Sequence, residues 1–414
     1  MAAARAFKNT IINDPVYGFI PVTSEKIHAL IEHRYMQRMR HIRQLGLTEL
    51  VYPGAIHTRF HHALGAMDLM RRAIDVLRAK GVDISGEEQE AAQIATLLHD
   101  IGHGPFSHAL EETLLDHVQH ESISFLFMKA LNKEFNNELS MALRIFQNTH
   151  PRKFLHQMVS SQLDMDRLDY LNRDSFFTGV REGFISTDRI IAMLNVVNGQ
   201  LVVEEKGIYN IEHFLSARRL MYWQVYLHKT SVSAERLLIN IIRRAQYLAQ
   251  SGEPVPASES LHMFLYHQQT LDDFNKQPTL LQHFGSLDDY DLWGAIKQWQ
   301  TNKDEVLSGL CRWLLERRLF HIRVSTQPNE KSAIEKVRTA IGEQYHLTRK
   351  DAAFLFSYGS LSNEAYLSER NAIQIWMKSG ELLDVAQASD LPNIKAMSKI
   401  VKKSYLCWPK NLSL

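Results

Sequence analysis

The stretch Leu98-His99-Asp100-Ile101-Gly102-His103-Gly104-Pro105-Phe106-Ser107-His108 constrains this chain of 414 residues more than any other. An apolar helical run ends in a His-Asp pair, and two glycines and a proline then forbid the helix from continuing. Neighbouring side chains leave a helix about 100° apart, so His99 and Asp100 converge on one ion only where the helix tip faces a cleft. Imidazole with carboxylate suits Mn, Fe, Co, Ni or Zn and, less well, Mg, so the identity of such an ion stays open. A lone His-Asp pair is more often a helix-end hydrogen bond than a metal site. Its company shifts the balance: a His-rich helix start lies upstream and an Asp-rich helix downstream.

Helical periodicity dominates the rest of the chain. One or two helices are predicted over 24–45, and further helices from Arg59 to Lys80, from Ser85 to Asp100, and over 107–131, 152–174 and 211–250. Ser85-Gly86-Glu87-Glu88 has the spacing of a capping box, and the face His62, Ala66, Leu69, Ala73, Val76 makes His62 the head of an inward stripe. Asn198-Gly199 between β-branched runs predicts a hairpin over Val196–Val203, and Lys378-Ser379-Gly380 a second. His321–Ser325 reads as a strand, and Pro392–Tyr405 as a closing basic helix. The Pro- and Ser-containing segment Ser251–Ser260 divides the chain into a catalytic body, 1–250, and a mixed α/β lobe, 251–414. The fold class expected is mainly α, a helical bundle with small β-hairpins.

Charge excludes some functions. Lys plus Arg is 47 against 46 for Asp plus Glu, so no global field draws the chain to nucleic acid or a membrane, although local basic clusters leave nucleic-acid binding open. Cys311 and Cys407 are too few for a disulfide framework and point to a reducing, cytoplasmic setting. Met1–Thr10 has no apolar leader core, and no apolar run is long enough to span a bilayer.

The polar residues at helix tips or on apolar faces are His62, His99, Asp100 and Asp166. Two imidazoles and two carboxylates from three helices make a metal set with open positions, as a hydrolase requires. Asp166, Tyr170 and Asp174, at i, i+4 and i+8, share a face that suits a sugar-bearing ligand beside the metal. His103, His108, Glu111, His120 and Glu121 follow closely, and histidines can protonate a leaving oxygen; Glu111, a turn beyond His108, is placed to orient it. Arg59, Arg167, Arg218 and Lys229 are cations for phosphate oxygens. His57, His61 and His117 read as surface or core histidines.

The set His62, His99-Asp100, Asp166 resembles the H…HD…D ligands of the HD-domain phosphohydrolases. The motifs Asn13-Asp14-Pro15-Val16-Tyr17-Gly18, Gln37-Arg38-Met39-Arg40, Gln44-Leu45-Gly46, Tyr52-Pro53-Gly54-Ala55, His57-Thr58-Arg59-Phe60, His62-Ala63-Leu64-Gly65 and His99 to His108 resemble the deoxynucleoside triphosphate triphosphohydrolases. Within them the likeness is to the branch with a human antiviral enzyme. It extends through Asp166-Arg167-Leu168-Asp169-Tyr170 and Arg173-Asp174 to Tyr226-Leu227-His228-Lys229, about the first 240 residues.

That resemblance implies hydrolysis of a dNTP to deoxynucleoside and inorganic triphosphate. It implies that His62, His99, Asp100 and Asp166 hold a divalent metal. Arg59, Arg167, Arg218 and Tyr226 contact the triphosphate, and His103, His108, Glu111 and His120 line the hydrolytic centre, with His108 the acid toward the 5′-oxygen. Gln44 and Asp174 read the 3′-hydroxyl, Leu45 adjoins the substrate, and Tyr170 lies under the sugar where a 2′-hydroxyl would clash. The resemblance further implies a homodimer or homotetramer and a regulatory nucleotide near Glu32, Gln37, Arg40, Lys206 and Lys229. Thr10 and Glu204 replace two cations of that regulatory site, which weakens activation by that route. Alternatives are another HD chemistry (phosphomonoester, cyclic-nucleotide or alarmone hydrolysis) and a non-catalytic sensor of nucleotides or single strands.

Overall fold

A computed structural model of the chain describes residues 10–107, 111, 113–363, 372–391 and 401–413. Strands β1 (Thr10–Asp14) and β2 (Gly18–Val22) form an antiparallel hairpin. Its turn closes on the Asp14 carboxylate, which accepts from the amides of Val16 (3.0 Å) and Tyr17 (2.9 Å). Helices α1 (Glu25–Glu32) and α2 (Arg34–Arg38) follow. The centre of the body is α3 (Arg59–Ala79), which packs against α4 (Gly86–Leu98) and α8 (Met165–Thr178). Around them lie α5 (His120–Glu134), α6 (Ser140–Phe146), α7 (Lys153–Val159) and α9 (Thr187–Ala192). The fold is mainly α, with three small sheets among the described residues, and among those residues no helix is long and apolar enough to cross a membrane.

The strongest local signals of the sequence are present as expected. Ser85 and Glu88 cap α4 reciprocally, and Asn198 and Gly199, both at positive φ, turn β3 (Leu194–Val197) into β4 (Gln200–Glu204). Strand β5 (His321–Ser325) and the hairpin at Lys378–Gly380 are also present; the latter joins β7 (Gln374–Trp376) to β8 (Leu382–Asp384).

The 24–45 segment forms two helices, parted at His33, whose extended backbone ends α1 and whose ring caps α2. Three helix assignments need correction. The 107–131 helix is interrupted: Glu111, Thr113 and Leu114 are helical, but Leu115 bridges to Gln269 and His117 takes a left-handed backbone angle, so α5 starts afresh at His120. The 152–174 helix is interrupted at 160–164, where Asp164 accepts from the Arg167 amide and caps α8. The 211–250 helix is two, α10 (Ile208–Met221) and α11 (Lys229–Gln250), separated by a π turn at Tyr222–Tyr226 closed by Leu227 N to Tyr222 O at 2.7 Å.

Beyond the loop that follows α11 come α12 (Glu259–Tyr266), α13 (Leu271–Lys276), α14 (Pro278–Phe284), α15 (Asp289–Trp299) and α16 (Glu305–Leu315). After β5, α17 (Lys331–Tyr345) leads through a short turn of helix to β6 (Ser357–Asn363). The closing basic helix is also corrected. Residues Val401–Trp408 form β9, the middle strand between β5 and β6, and 392–400 lie outside the described residues. The run Tyr405-Leu406-Cys407-Trp408 is buried there, and pairing on both edges outweighs the helical spacing of its lysines.

Candidate metal centre and substrate cavity

Helix α3 delivers His62, the end of α4 delivers His99 and Asp100, and the first turn of α8 delivers Asp166. One ligand atom each from His62, His99 and Asp166 lies within 4.8 Å of the others. His62 Nε2 stands 3.1 Å and His99 Nε2 3.5 Å from Asp166 Oδ1, and His99 Nε2 is 3.4 Å from Asp100 Oδ1. Neither imidazole Nε2 has a hydrogen-bond partner among the described residues, though both are buried. Ligands about 2.1 Å from a shared ion and at right angles stand about 3 Å apart, so this donor set fits a divalent cation. Burial pulls both imidazoles down, but the carboxylates outweigh it: Asp166 and Asp169 raise His62 to about 10, and Asp100 and Asp166 raise His99 to about 9. A cation competes for the position those protons take.

The remaining nitrogens are fixed from behind. His99 Nδ1 meets Thr96 O at 2.6 Å, and His62 Nδ1 meets Asp169 Oδ2 at 2.7 Å. Asp169 continues through Arg173 (2.9 Å) to Asp14 (2.7 Å), a fully buried chain of charges. A Cβ on Gly65 would collide with Asp169 and Arg173, so only glycine lets α8 approach α3 here. Asp169 and Asp14 fall within motifs of the sequence that assign them no role; the available signal was position 169, three residues beyond Asp166 on the inner face.

Beside this set, Asp100, His103 and His120 form a second cluster. Arg59 pairs with Asp100 Oδ2 and donates from Nε to Ser107 Oγ at 2.7 Å. His103 lies 3.4 Å from Asp100 and stacks on His120 with centroids 3.8 Å apart. Burial and the Arg59 cation hold His103 well below the usual imidazole range. Burial alone would lower His120, but its hydrogen bond to Glu111 and the nearby Asp100 raise it. Glu111 accepts at 2.6 Å from His120 Nδ1 and at 3.0 Å from the His120 backbone amide; its expected pairing with His108 lies outside the described residues.

A cavity of about 540 Å³ opens from the metal cluster, within the range of small-ligand sites. Gln44, Leu45, Arg59, Arg167, Tyr170, Asp174 and Tyr226 reach its wall with His99, Asp100, His103, His120 and Asp166. The i, i+4, i+8 face of α8 thus lies along one side. Arg167 also grips Asp164 at 2.8 Å. Arg218 is not brought to the wall; it is buried and donates to Gln162 Oε1 at 3.1 Å.

Asp174, at the far end, receives Tyr226 OH at 2.8 Å and His57 Nε2 at 2.7 Å. His57, which the sequence leaves among the surface or core histidines, is buried and stacks on Phe177 at 4.5 Å. The π turn brings Tyr222 and Tyr226 to this wall. His61 is a helix cap, meeting the Thr58 amide at 3.2 Å, and His117 is exposed.

The regulatory candidates stand apart from the cavity. Glu32, Lys206 and Lys229 are exposed. Gln37 bonds Ile31 O at 2.8 Å, and Arg40 bonds Gln37 at 2.9 Å while covering the Phe60 ring at 3.7 Å. Glu204 pairs with Lys80 at 2.7 Å.

A helical body whose His-Asp cluster spans α3, α4 and α8 defines a metal-dependent hydrolase of the HD class. The HD domain model matches residues 59–174, and an HD-associated region model matches 185–257. The chain belongs to the HD-domain phosphohydrolases. It is similar to a crystal structure of a phosphohydrolase from Bacteroides thetaiotaomicron, at 49% identity and a TM-score of 0.93, covering 97% of this chain and 100% of that one. It is 30% identical to the uncharacterized protein YwfO of Bacillus subtilis over 97% of this chain and 92% of that protein. It is 29% identical to the deoxynucleoside triphosphate triphosphohydrolase SAMHD1 homolog of Dictyostelium discoideum, over 61% of this chain and 53% of that protein.

Proposed function

We propose that the protein hydrolyses deoxynucleoside triphosphates to a deoxynucleoside and inorganic triphosphate. The observation that carries this reading is the single wall formed by Asp166, Tyr170 and Asp174, with the metal cluster at one end and the His57–Asp174–Tyr226 group at the other. The likeness to the dNTP triphosphohydrolase of Dictyostelium, over half of that protein, supports it.

His62, His99, Asp100 and Asp166 would hold a divalent cation, which when bound would supply Lewis-acid polarisation of a phosphoryl oxygen and activation of water. Arg59 and Arg167 neutralise charge on the triphosphate. His103, held neutral and stacked on His120, can accept a hydrogen bond from the attacking water, and His120 bonded to Glu111 can exchange a proton; His108 is assigned the 5′-oxygen. Asp174, with both oxygens oriented by His57 and Tyr226, accepts from the 3′-hydroxyl across from Gln44. Tyr170 packs below C2′ and excludes a 2′-hydroxyl. Leu45 supplies apolar contact.

The working form is a homodimer or homotetramer in the cytoplasm. Activation by a second nucleotide is weak, since Glu204 is spent on Lys80 and Thr10 stands where a cation is needed. The test is a panel of four dNTPs and four NTPs with Mn²⁺. Selective hydrolysis of the deoxy series upholds the reading, and equal rates on both series contradict it.

A further inference from the structure

We propose that Asp289, at the start of α15 and outside both matched family regions, is a positioning residue for the metal end of the cavity. The proposal rests on reading the cavity as a phosphohydrolase site. Asp289 is buried, and its two carboxylate oxygens each accept a backbone amide from a loop of that site. Oδ1 takes Phe106 N at 2.7 Å and Oδ2 takes Arg43 N at 2.9 Å.

Both loops carry cavity residues on the adjoining position. Gln44 follows Arg43, and Ser107 follows Phe106. Phe106 and Ser107 sit at φ +52° and +54°, a region that is strained for non-glycine residues and needs outside support. An ionised acceptor on the Phe106 amide gives that support, because charge-assisted hydrogen bonds are roughly twice as strong as neutral ones. Burial raises Asp289 to about 6, which leaves it ionised at neutral pH.

From there the linkage runs to the metal cluster. Ser107 Oγ accepts from Arg59 Nε at 2.7 Å and donates to Arg43 O at 3.2 Å, which joins the two loops, and Arg59 pairs with Asp100. Arg38 fastens the same turn from the other side. Its guanidinium donates to Ile101 O (2.7 Å) and His103 O (2.9 Å) in the loop after α4, and to Phe284 O (3.2 Å) and Leu287 O (3.0 Å) just before Asp289. The 284–289 turn therefore fixes the approach of Arg59 to Asp100 without touching substrate.

The test replaces Asp289 by Asn, which keeps one acceptor oxygen and turns an NH₂ toward the other amide at nearly constant volume. Hydrolysis is followed on dGTP and on bis(4-nitrophenyl) phosphate with Mn²⁺, alongside a Mn²⁺-binding isotherm. Groups that orient a metal site from behind are worth about 10- to 100-fold. Asp289→Asn is expected to lower kcat about tenfold with KM within twofold, and to weaken Mn²⁺ binding several-fold.

Activity within twofold of wild type together with an unchanged isotherm overturns the proposal. If Asp289→Asn does not fold, Ser107→Ala decides: a several-fold loss of kcat upholds the linkage and unchanged activity overturns it. A wild-type protein silent on dGTP but active on the diester fails the dNTP reading and leaves this test intact. If both substrates are inert, the Mn²⁺ isotherm alone decides: weakened binding upholds the proposal and an unchanged isotherm overturns it.

Discussion

Replacing Asp169 by Asn tests how much of the metal cluster depends on a carboxylate that holds His62 from behind. Asp169 Oδ2 accepts His62 Nδ1–H at 2.7 Å, which keeps a proton on Nδ1 and turns Nε2 toward Asp166, where a cation would replace its proton. The same carboxylate holds Arg173 through Nε and Nη2, each at 2.9 Å. Asparagine keeps the volume and removes the charge. Breaking a buried ion pair by removing one partner costs about 3–5 kcal/mol. Here Arg173 keeps Asp14 at 2.7 Å, so roughly half of that, about 2 kcal/mol, is expected. At about 2 °C per kcal/mol for a chain of this size, the melting temperature drops by about 4 °C. For the metal, carboxylates behind a ligating histidine are worth about 10- to 100-fold in affinity, or about 1.4–2.7 kcal/mol. The assay is a Mn²⁺ titration followed by electron paramagnetic resonance, with thermal melts at each point. A melting shift of this size with a Mn²⁺ affinity within twofold of wild type refutes the reasoning, because it leaves Asp169 a purely structural acid.

Other consequences follow from the same geometry. Asp166→Ala removes a cluster residue and should abolish Mn²⁺-dependent turnover; near-normal rates in stripped buffer would contradict the ligand assignment. His57→Ala frees one oxygen of Asp174 and should raise KM for a dNTP several-fold with little change in Mn²⁺ affinity; a changed metal isotherm with unchanged KM would contradict it. Burial raises Asp289 to about 6 from its ordinary 3.8, opposed by the Arg43 and Phe106 amides and reinforced by Asp288. The folded state thus binds a proton between those values that the unfolded chain has released, so this residue's contribution to stability falls as pH rises through that window. The melting difference between wild type and Asp289→Asn should therefore move against wild type from pH 4 to pH 7, and a flat difference would exclude the raised carboxyl. Light scattering should find a dimer or tetramer without nucleotide; a monomer that assembles only with GTP or dGTP would contradict the weakness assigned to the regulatory site.

The parts legible in the sequence were those with a local cause. The Ser85–Glu88 cap, the Asn198-Gly199 turn and the α8 face of Asp166, Tyr170 and Asp174 all follow from spacing within one element. The misread parts depend on partners far away in the chain. Periodicity continues through Tyr222–Tyr226, and only the extra residue of a π turn reveals that Tyr226 faces Asp174. The Val401–Trp408 strand exists because β5 and β6 pair with both its edges. His57 looks like an ordinary core histidine in the sequence because its partner lies 117 residues on. Nothing in the spacing announces the bond from His120 to Glu111, nine residues apart across a break in the helix. Asp289 carries no sequence signal at all, since its partners are two backbone amides.

The central claim is that this cavity releases triphosphate intact from a deoxynucleotide. Incubating the Mn²⁺-loaded protein with dGTP and resolving the products by ion exchange tests it directly. Deoxyguanosine and inorganic triphosphate in equal amounts are predicted; orthophosphate or pyrophosphate as the released product, or tight binding of dGTP without turnover, would contradict the account.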